Sequence, residues 1–178
     1  MLETERLQMR LWRPSDAERI RGLWTERDPR SLHVIDADGR PTLNDLRAAI
    51  QTQLVATART GLALLAIDTR INCEFIGYCG LIEGRATIDG PEIAFELFRR
   101  ARGQGYATEA SEAVVAAAAE TGRARLWSTV RAWNVPSLRV LDKLRFVRSG
   151  KVEADVDRGN LLWLTRTLVA ADVAPPVR

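Results

Sequence analysis

Between Arg99 and Ala110 the chain reads RRARGQGYATEA: Arg99, Arg100 and Arg102 precede Gly103 and Gly105, and an alanine-rich segment follows. Glycines two apart let a backbone curl so that consecutive N–H groups face one concavity. A helix starting near Tyr106 adds the positive end of its dipole at the same place. The guest of such a turn is an anion, phosphate above all, and guanidinium groups add charge-assisted hydrogen bonds to its outer oxygens. Two common nucleotide motifs do not fit. Thr108 stands where a dinucleotide fingerprint needs its third glycine, and no G-x-x-x-x-G-K-[ST] string occurs. A bare strand-to-helix turn with solvated arginines is the other reading of these residues.

Just before the turn, PEIAFELF has strand character, and its period of two puts Glu92, Ala94 and Glu96 on one face and Ile93, Phe95 and Leu97 on the other. Two carboxylates on one face can serve one cleft, as proton acceptor or as the partner of a cationic substrate. Solvated acids on a polar strand face are the competing reading. Downstream, Asn134 and Ser137 in WNVPSLRVLDKLRF fall at a helix start, where both side-chain types satisfy backbone N–H groups. His33 is the single histidine and lies in a long loop, which favours a surface or packing role over a base. Cys73 and Cys79 have neither a second pair nor histidines at ligand spacing, so no metal site and no disulfide framework are expected, and Cys79 reads as a small buried hydrophobe.

The elements that must position these groups follow from periodicity. Leu7, Met9 and Leu11 alternate as a strand; Ser15 and Glu18 form a capping-box pattern ahead of a helix over 16–27. A loop, DPRSLHVIDADGRP, precedes a second helix over 43–58 that Gly61 stops. Then LALLAIDT, CEFIGYCGLIE and PEIAFELF read as three strands, TEASEAVVAAAAETG as a helix ending at Gly122, and RLWSTVRAW as a strand. VPSLRVLDKLR is a short helix, and FVRSGKVEADV with NLLWLTRTLV closes the chain as a strand pair. The five tryptophans are spread over different elements and read as core or pocket walls.

At 178 residues with 46% hydrophobic content the chain suits one domain, expected over 1–170, with a flexible tail at 171–178 that Pro175 and Pro176 keep out of any ladder. The formal net charge of +3 comes from interspersed arginines and acids rather than a basic block, so no nucleic-acid partner is expected. The charged start MLETERLQMR lacks the apolar core of a signal peptide, and no apolar run reaches spanning length. A cytoplasmic protein without membrane contact is the expectation.

In this context RARGQG resembles the Q/R-x-x-G-x-G/A signature of the GNAT superfamily of acyl-CoA N-acyltransferases, with Arg100, Gly103 and Gly105 in register. Asn134, Ser137, Val140, Leu141, Lys143, Leu144 and Phe146 match that family's N-x-x-S-x-x-V-L-x-K-L-G-F helix, and PEIAFELF and LETERLQMRLWRPSDAERI are similar to its other segments. The resemblance is closest to the branch containing the ribosomal-protein-alanine N-acetyltransferases (RimJ/RimL-like). Arg145 replaces the glycine before Phe146, and Glu96 stands where relatives carry tryptophan. The resemblance implies an α/β fold with a mixed, mostly antiparallel central sheet of about seven strands flanked by helices. It implies acetyl transfer from acetyl-CoA to a primary amine, on a protein N-terminus or a small molecule, by direct attack in a ternary complex, without a metal. By the same resemblance, Leu97, Phe98, Arg100, Arg102, Gly103, Gln104, Gly105, Tyr106, Ala107 and Asn134 bind the cofactor. A backbone N–H near Leu97 or Phe98 polarises the thioester, Glu92 is the base, directly or through water, with Glu96 its rival or the carboxylate that recognises a cationic acceptor, and Ser137 protonates or stabilises the thiolate. A CoA-binding module that has lost catalysis is the alternative, and a homodimer is compatible with the family.

Overall fold

A computed structural model of the protein describes residues 1–31 and 34–169; His33 and the tail expected at 171–178 lie outside the described residues. The first strand, β1 (Leu2–Glu3), pairs with β2 (Leu7–Arg10). A 3₁₀ turn over Pro14–Asp16 leads into α1 (Ala17–Thr25), and α2 spans Leu43–Thr60. Next come β3 (Leu64–Thr69), β4 (Phe75–Ile82), β5 (Glu92–Leu97), α3 (Tyr106–Glu120), β6 (Arg125–Arg131), α4 (Val135–Lys143), β7 (Val147–Glu153) and β8 (Leu161–Thr167). The eight strands form one sheet in the order β1-β2-β3-β4-β5-β6-β8-β7, antiparallel except for β5 and β6. The count exceeds the expected seven because β1 is only two residues long, too short for alternation to register.

Local signals explain most boundaries. Thr42 accepts the Asp45 N–H and Asp45 returns a bond to Thr42, a reciprocal cap on α2, and Gly61 ends that helix at φ 71°. The expected Ser15–Glu18 box does not start α1. Asp16 instead closes the 3₁₀ turn that leads into α1: its Oδ2 accepts the Arg13 N–H at 2.9 Å, and Arg10 and Arg19 bond the same carboxylate.

The sheet has a core on each face. Leu7, Met9, Leu65, Ile67, Ile93, Leu126 and Leu141 pack with Val114 and Ala118 of α3, while Trp12, Ile20, Leu46, Ile50, Ala66 and Phe75 pack beneath α1 and α2. Each fully buried Leu or Ile contributes about 1.5–3 kcal/mol. A register shift opposite Ile67 and Asp68 rephases β4, so Phe75 and Tyr78 share the α1/α2 face while Ile76 and Cys79 share the α3 face.

The feature that positions the site is the β5–β6 junction. Only Glu92 and Trp127 pair in parallel there, with Trp127 N donating to Pro91 O and Ser128 Oγ to Ile93 O. Beyond Ile93 the two strands diverge, and β5 runs on to Leu97 with one edge open toward the N-terminus of α4.

Candidate active site

The wedge between β5 and β6 opens into a cleft of about 800 Å³. Its floor is Phe95, Glu96 and Leu97 of β5. One wall is the turn and first residues of α3 (Arg102, Gly103, Gly105, Tyr106), the other Trp133, Asn134, Ser137, Arg139 and Lys143 around α4, and residues of the 26–31 segment line a further side.

The register of β5 decides which of its amides face this space. Phe98 N donates to Ile76 O, and Glu96 lies opposite Tyr78, so the even-numbered residues exchange bonds with β4. Phe95 and Leu97 therefore turn their N–H groups toward the open wedge. Of the two residues expected to carry a carbonyl-polarising N–H, the cleft receives that of Leu97.

In the turn, Gly103 and Gly105 adopt φ of 76° and 84°, left-handed conformations that a side chain would strain. Gly105 is also the N-cap of the 15-residue α3, and no side chain caps that helix start, leaving its first-turn N–H groups toward the cleft. Arg102 Nε donates to Leu97 O at 3.0 Å, tying the turn to the end of β5.

At the inner end, Glu96 is clasped by two partners. Arg27 Nε lies 2.8 Å from its Oε1, the Arg27 guanidinium also contacts Oε2, and the Tyr78 hydroxyl donates to Oε2 at 2.8 Å. Arg27 also stacks over Trp24, 4.3 Å from the ring centroid. Burial lowers the Arg27 pKa, but the Glu96 hydrogen bond and nearby charges outweigh it and hold the group more firmly protonated than usual. Burial first, then the Glu96 charge, pushes the Tyr78 hydroxyl well above its ordinary range.

Glu92 shares the strand face of Glu96 but lies at the closed end of the wedge, roughly 13 Å away along the strand at ~3.3 Å per residue. It is buried, 4% exposed, and is not among the residues lining the cleft. Its Oε1 accepts the Arg85 N–H at 2.5 Å and its Oε2 the Thr129 hydroxyl at 2.8 Å. Period two fixed the shared face; it carried no information about where β6 leaves β5.

On the far wall, Asn134 Oδ1 accepts Ser137 N at 3.3 Å, capping α4, and Ser137 lines the cleft.

The family model of the acetyltransferase (GNAT) domain matches residues 6–147, most of the chain. The chain belongs to the GNAT acetyltransferase family. Solved structures agree at the level of the fold. A protein from Bordetella pertussis described as a GnaT-family acetyltransferase is 22% identical with a TM-score of 0.75, covering 93% of this chain and 98% of its own. RimL, the ribosomal L7/L12 alpha-N-protein acetyltransferase in complex with coenzyme A, is 16% identical with a TM-score of 0.77, covering 93% and 96%. The protein yncA from Salmonella typhimurium, with its cofactor acetyl-CoA, is 15% identical with a TM-score of 0.72, covering 92% and 95%. Among curated proteins, none matches the chain.

Within this GNAT fold, Leu97, Arg102, Gly103, Gly105, Tyr106, Ala107, Asn134 and Ser137 all line the cleft. Three other expected cofactor residues face elsewhere. Arg100 forms an ion pair with Glu74 at 2.7 Å, donates to Phe75 O at 3.0 Å and covers the Phe98 ring. Phe98 spends its N–H on β4 and packs its ring on Phe75. The Gln104 side chain folds back onto Arg100 O at 2.9 Å. Arg27, Arg139 and Lys143 also line the cleft; sequence reasoning gave none of them a place there, naming Lys143 only in the helix match. The last two were accessible in principle, since an i, i+4 basic pair places both on one side of α4.

Cys79 is buried with Sγ 3.4 Å from Ser111 Oγ, and burial pushes its thiol up to about 12, which removes it as a nucleophile near neutrality. Among the described residues no helix is long and apolar enough to cross a membrane, and no group of three or more His, Cys, Asp or Glu side chains could hold a metal ion.

Proposed function

We propose that this GNAT acetyltransferase moves an acetyl group from acetyl-CoA to a primary amine, on a protein N-terminus or a small molecule, by direct attack in a ternary complex. The observation that carries the reading is the wedge itself: one open strand edge, an uncapped helix N-terminus and a glycine turn all address one cleft. In this reading the Gly103–Gly105 turn and the first N–H groups of α3 hold the pyrophosphate, with Arg102 beside it. Asn134 directs its amide NH₂ to the pantetheine arm, because its Oδ1 is committed to the α4 cap. The thioester oxygen takes the Leu97 N–H, and Ser137 supplies a hydrogen bond or proton to the departing thiolate.

The amine faces Glu96. Arg27 and Tyr78 occupy much of that carboxylate, yet Oε1 keeps a lone pair for an incoming N–H, so Glu96 orients the amine and its proton leaves through water. Glu92, enclosed between Arg85 N and Thr129, holds the 84–85 turn against β6. The same enclosure of both acids favours the second reading, a CoA-binding module without catalysis.

Two measurements separate these readings. Saturating acetyl-CoA, at about 100-fold its Kd, stabilises a binder by about 2.7 kcal/mol, so the thermal midpoint rises by several degrees. An unmoved midpoint removes both readings. Thiol release with a panel of peptides and small amines distinguishes the enzyme, which releases CoA with at least one acceptor, from the module, which releases none.

A further inference from the structure

The N-terminal segment LETERLQMR lies outside the cleft lining, yet it grips the glycine turn from behind. Arg6 NH1 donates to Gln104 O at 3.0 Å. Its Nε donates to Glu109 Oε2 at 2.7 Å, and its backbone N–H to Glu109 Oε1 at 3.0 Å. Thr4 Oγ1 donates to Glu109 Oε1 at 2.5 Å, and the Arg6 guanidinium sits 4.5 Å from the Tyr106 ring centroid. A Cβ built on Gly105 would stand 3.3 Å from Arg6 NH2. One side chain thus touches the turn carbonyl, the first ring of α3 and the acid one turn into the helix.

We propose that Arg6, seated by Thr4 and Glu109, is a positioning residue that presets the phosphate-holding turn for the donor; this rests on the acetyl-CoA reading above. In a trans peptide the carbonyl and the following N–H point in opposite directions. By holding Gln104 O on the outer side, Arg6 fixes the Gly105 N–H toward the other side, where the turn is concave. Gly105, on the N–H side of that peptide, lacks the Cβ that would restrict its rotation, so an external clamp on Gln104 O helps to keep it aimed. Arg6 has a second effect. Glu109 stands in the first turn of α3, where an open carboxylate would repel an incoming pyrophosphate. Three N–H groups of Arg6 and the Thr4 hydroxyl bind it on the face turned toward β1 and β2, and its side chain is only 17% exposed. Burial pushes the Glu109 carboxyl up, but the Thr4 and Arg6 hydrogen bonds outweigh this and hold it below the usual range, so it stays ionised and paired near neutrality.

The test crosses Arg6→Ala with donor length, comparing acetyl-CoA with S-acetyl-pantetheine, which lacks the pyrophosphate. Losing a hydrogen bond to a charged group and the preset amide should lower kcat/KM for acetyl-CoA about tenfold, through KM, and weaken CoA binding in calorimetry by the same factor. With S-acetyl-pantetheine the variant and the parent should match. Arg6→Lys keeps the charge but not the fork, so it should resemble Arg6→Ala, and it replaces that variant should Arg6→Ala fail to fold. Equal losses on both donors would mean a general structural defect and overturn the proposal, as would unchanged acetyl-CoA kinetics in a folded variant. A parent protein that binds no CoA would instead overturn the acetyl-CoA reading, and this proposal with it.

Discussion

Glu92 and Glu96 are chemically alike and four residues apart, and the fold gives them different surroundings. Glu92 sits where β5 still touches β6, with both oxygens accepting from Arg85 N and Thr129; Glu96 sits where the strands have parted, facing the cleft. Glu96→Gln should therefore lower kcat/KM by about 10²-fold, the scale of one oriented hydrogen-bonding group, with acetyl-CoA affinity retained. Glu92→Gln should leave turnover per folded molecule within about threefold while lowering the thermal midpoint, because it weakens buried charge-assisted bonds worth roughly 1.5–3 kcal/mol each. Steady-state rates normalised to folded protein, with melts alongside, check both. The reverse pattern would return the catalytic role to Glu92.

At the scale of elements, legibility tracks sequence distance. The α2 cap between Thr42 and Asp45, the left-handed Gly61, the turn glycines and the Asn134–Ser137 cap are all local, and each is written in neighbouring residue types. Arg27–Glu96 and Arg6–Glu109 join residues 69 and 103 positions apart, and no periodicity announces such partners. Arg145 is an instructive intermediate. The family pattern places glycine there, and the structure shows why: Arg145 ends α4 at φ 60°, its N–H bonding Asp142 O, so the left-handed geometry survives the substitution. That conformation costs a side chain about 1–2 kcal/mol, whereas glycine costs ~0.4–1 kcal/mol through the unfolded chain. Arg145→Gly should consequently gain roughly 0.5–1 kcal/mol, about 2–3 °C in thermal midpoint. A melt that is unchanged or lower would show that the exposed arginine side chain contributes more than its backbone costs.

Across the whole molecule, the charge pattern read as interspersed turns out to be paired, and the pairing sets how stability depends on pH. Among the described residues, each carboxyl group that departs clearly from its ordinary value moves down: Asp16, Asp28, Asp45, Glu74, Glu109 and Asp155. Asp16 is the most enclosed, 2% exposed. Burial pushes its carboxyl up, but the hydrogen bonds from Arg10 and the Arg13 N–H, with the Arg10 and Arg19 charges, outweigh that. A folded value below the unfolded one means the folded state binds fewer protons, so the stabilisation is present above the unfolded pKa of about 3.9 and is lost as pH falls through the folded value. Cys79 works in the opposite direction at the other end of the scale. Its folded value of about 12 exceeds the ordinary 9.0, so its contribution is full below pH 9 and lost as pH rises toward 12. The thermal midpoint should thus hold a plateau between these limits and fall on both sides. Asp16→Asn removes one titrating group that bridges β2, the 3₁₀ turn and α1, and Arg10 also holds Asp68 at 2.7 Å, so the cation is not left bare. The variant should melt lower at pH 7 but lose less on going to pH 3, the two curves converging in acid. Parallel curves from scanning calorimetry would show that Asp16 carries no linked proton and that acid sensitivity resides in the exposed pairs.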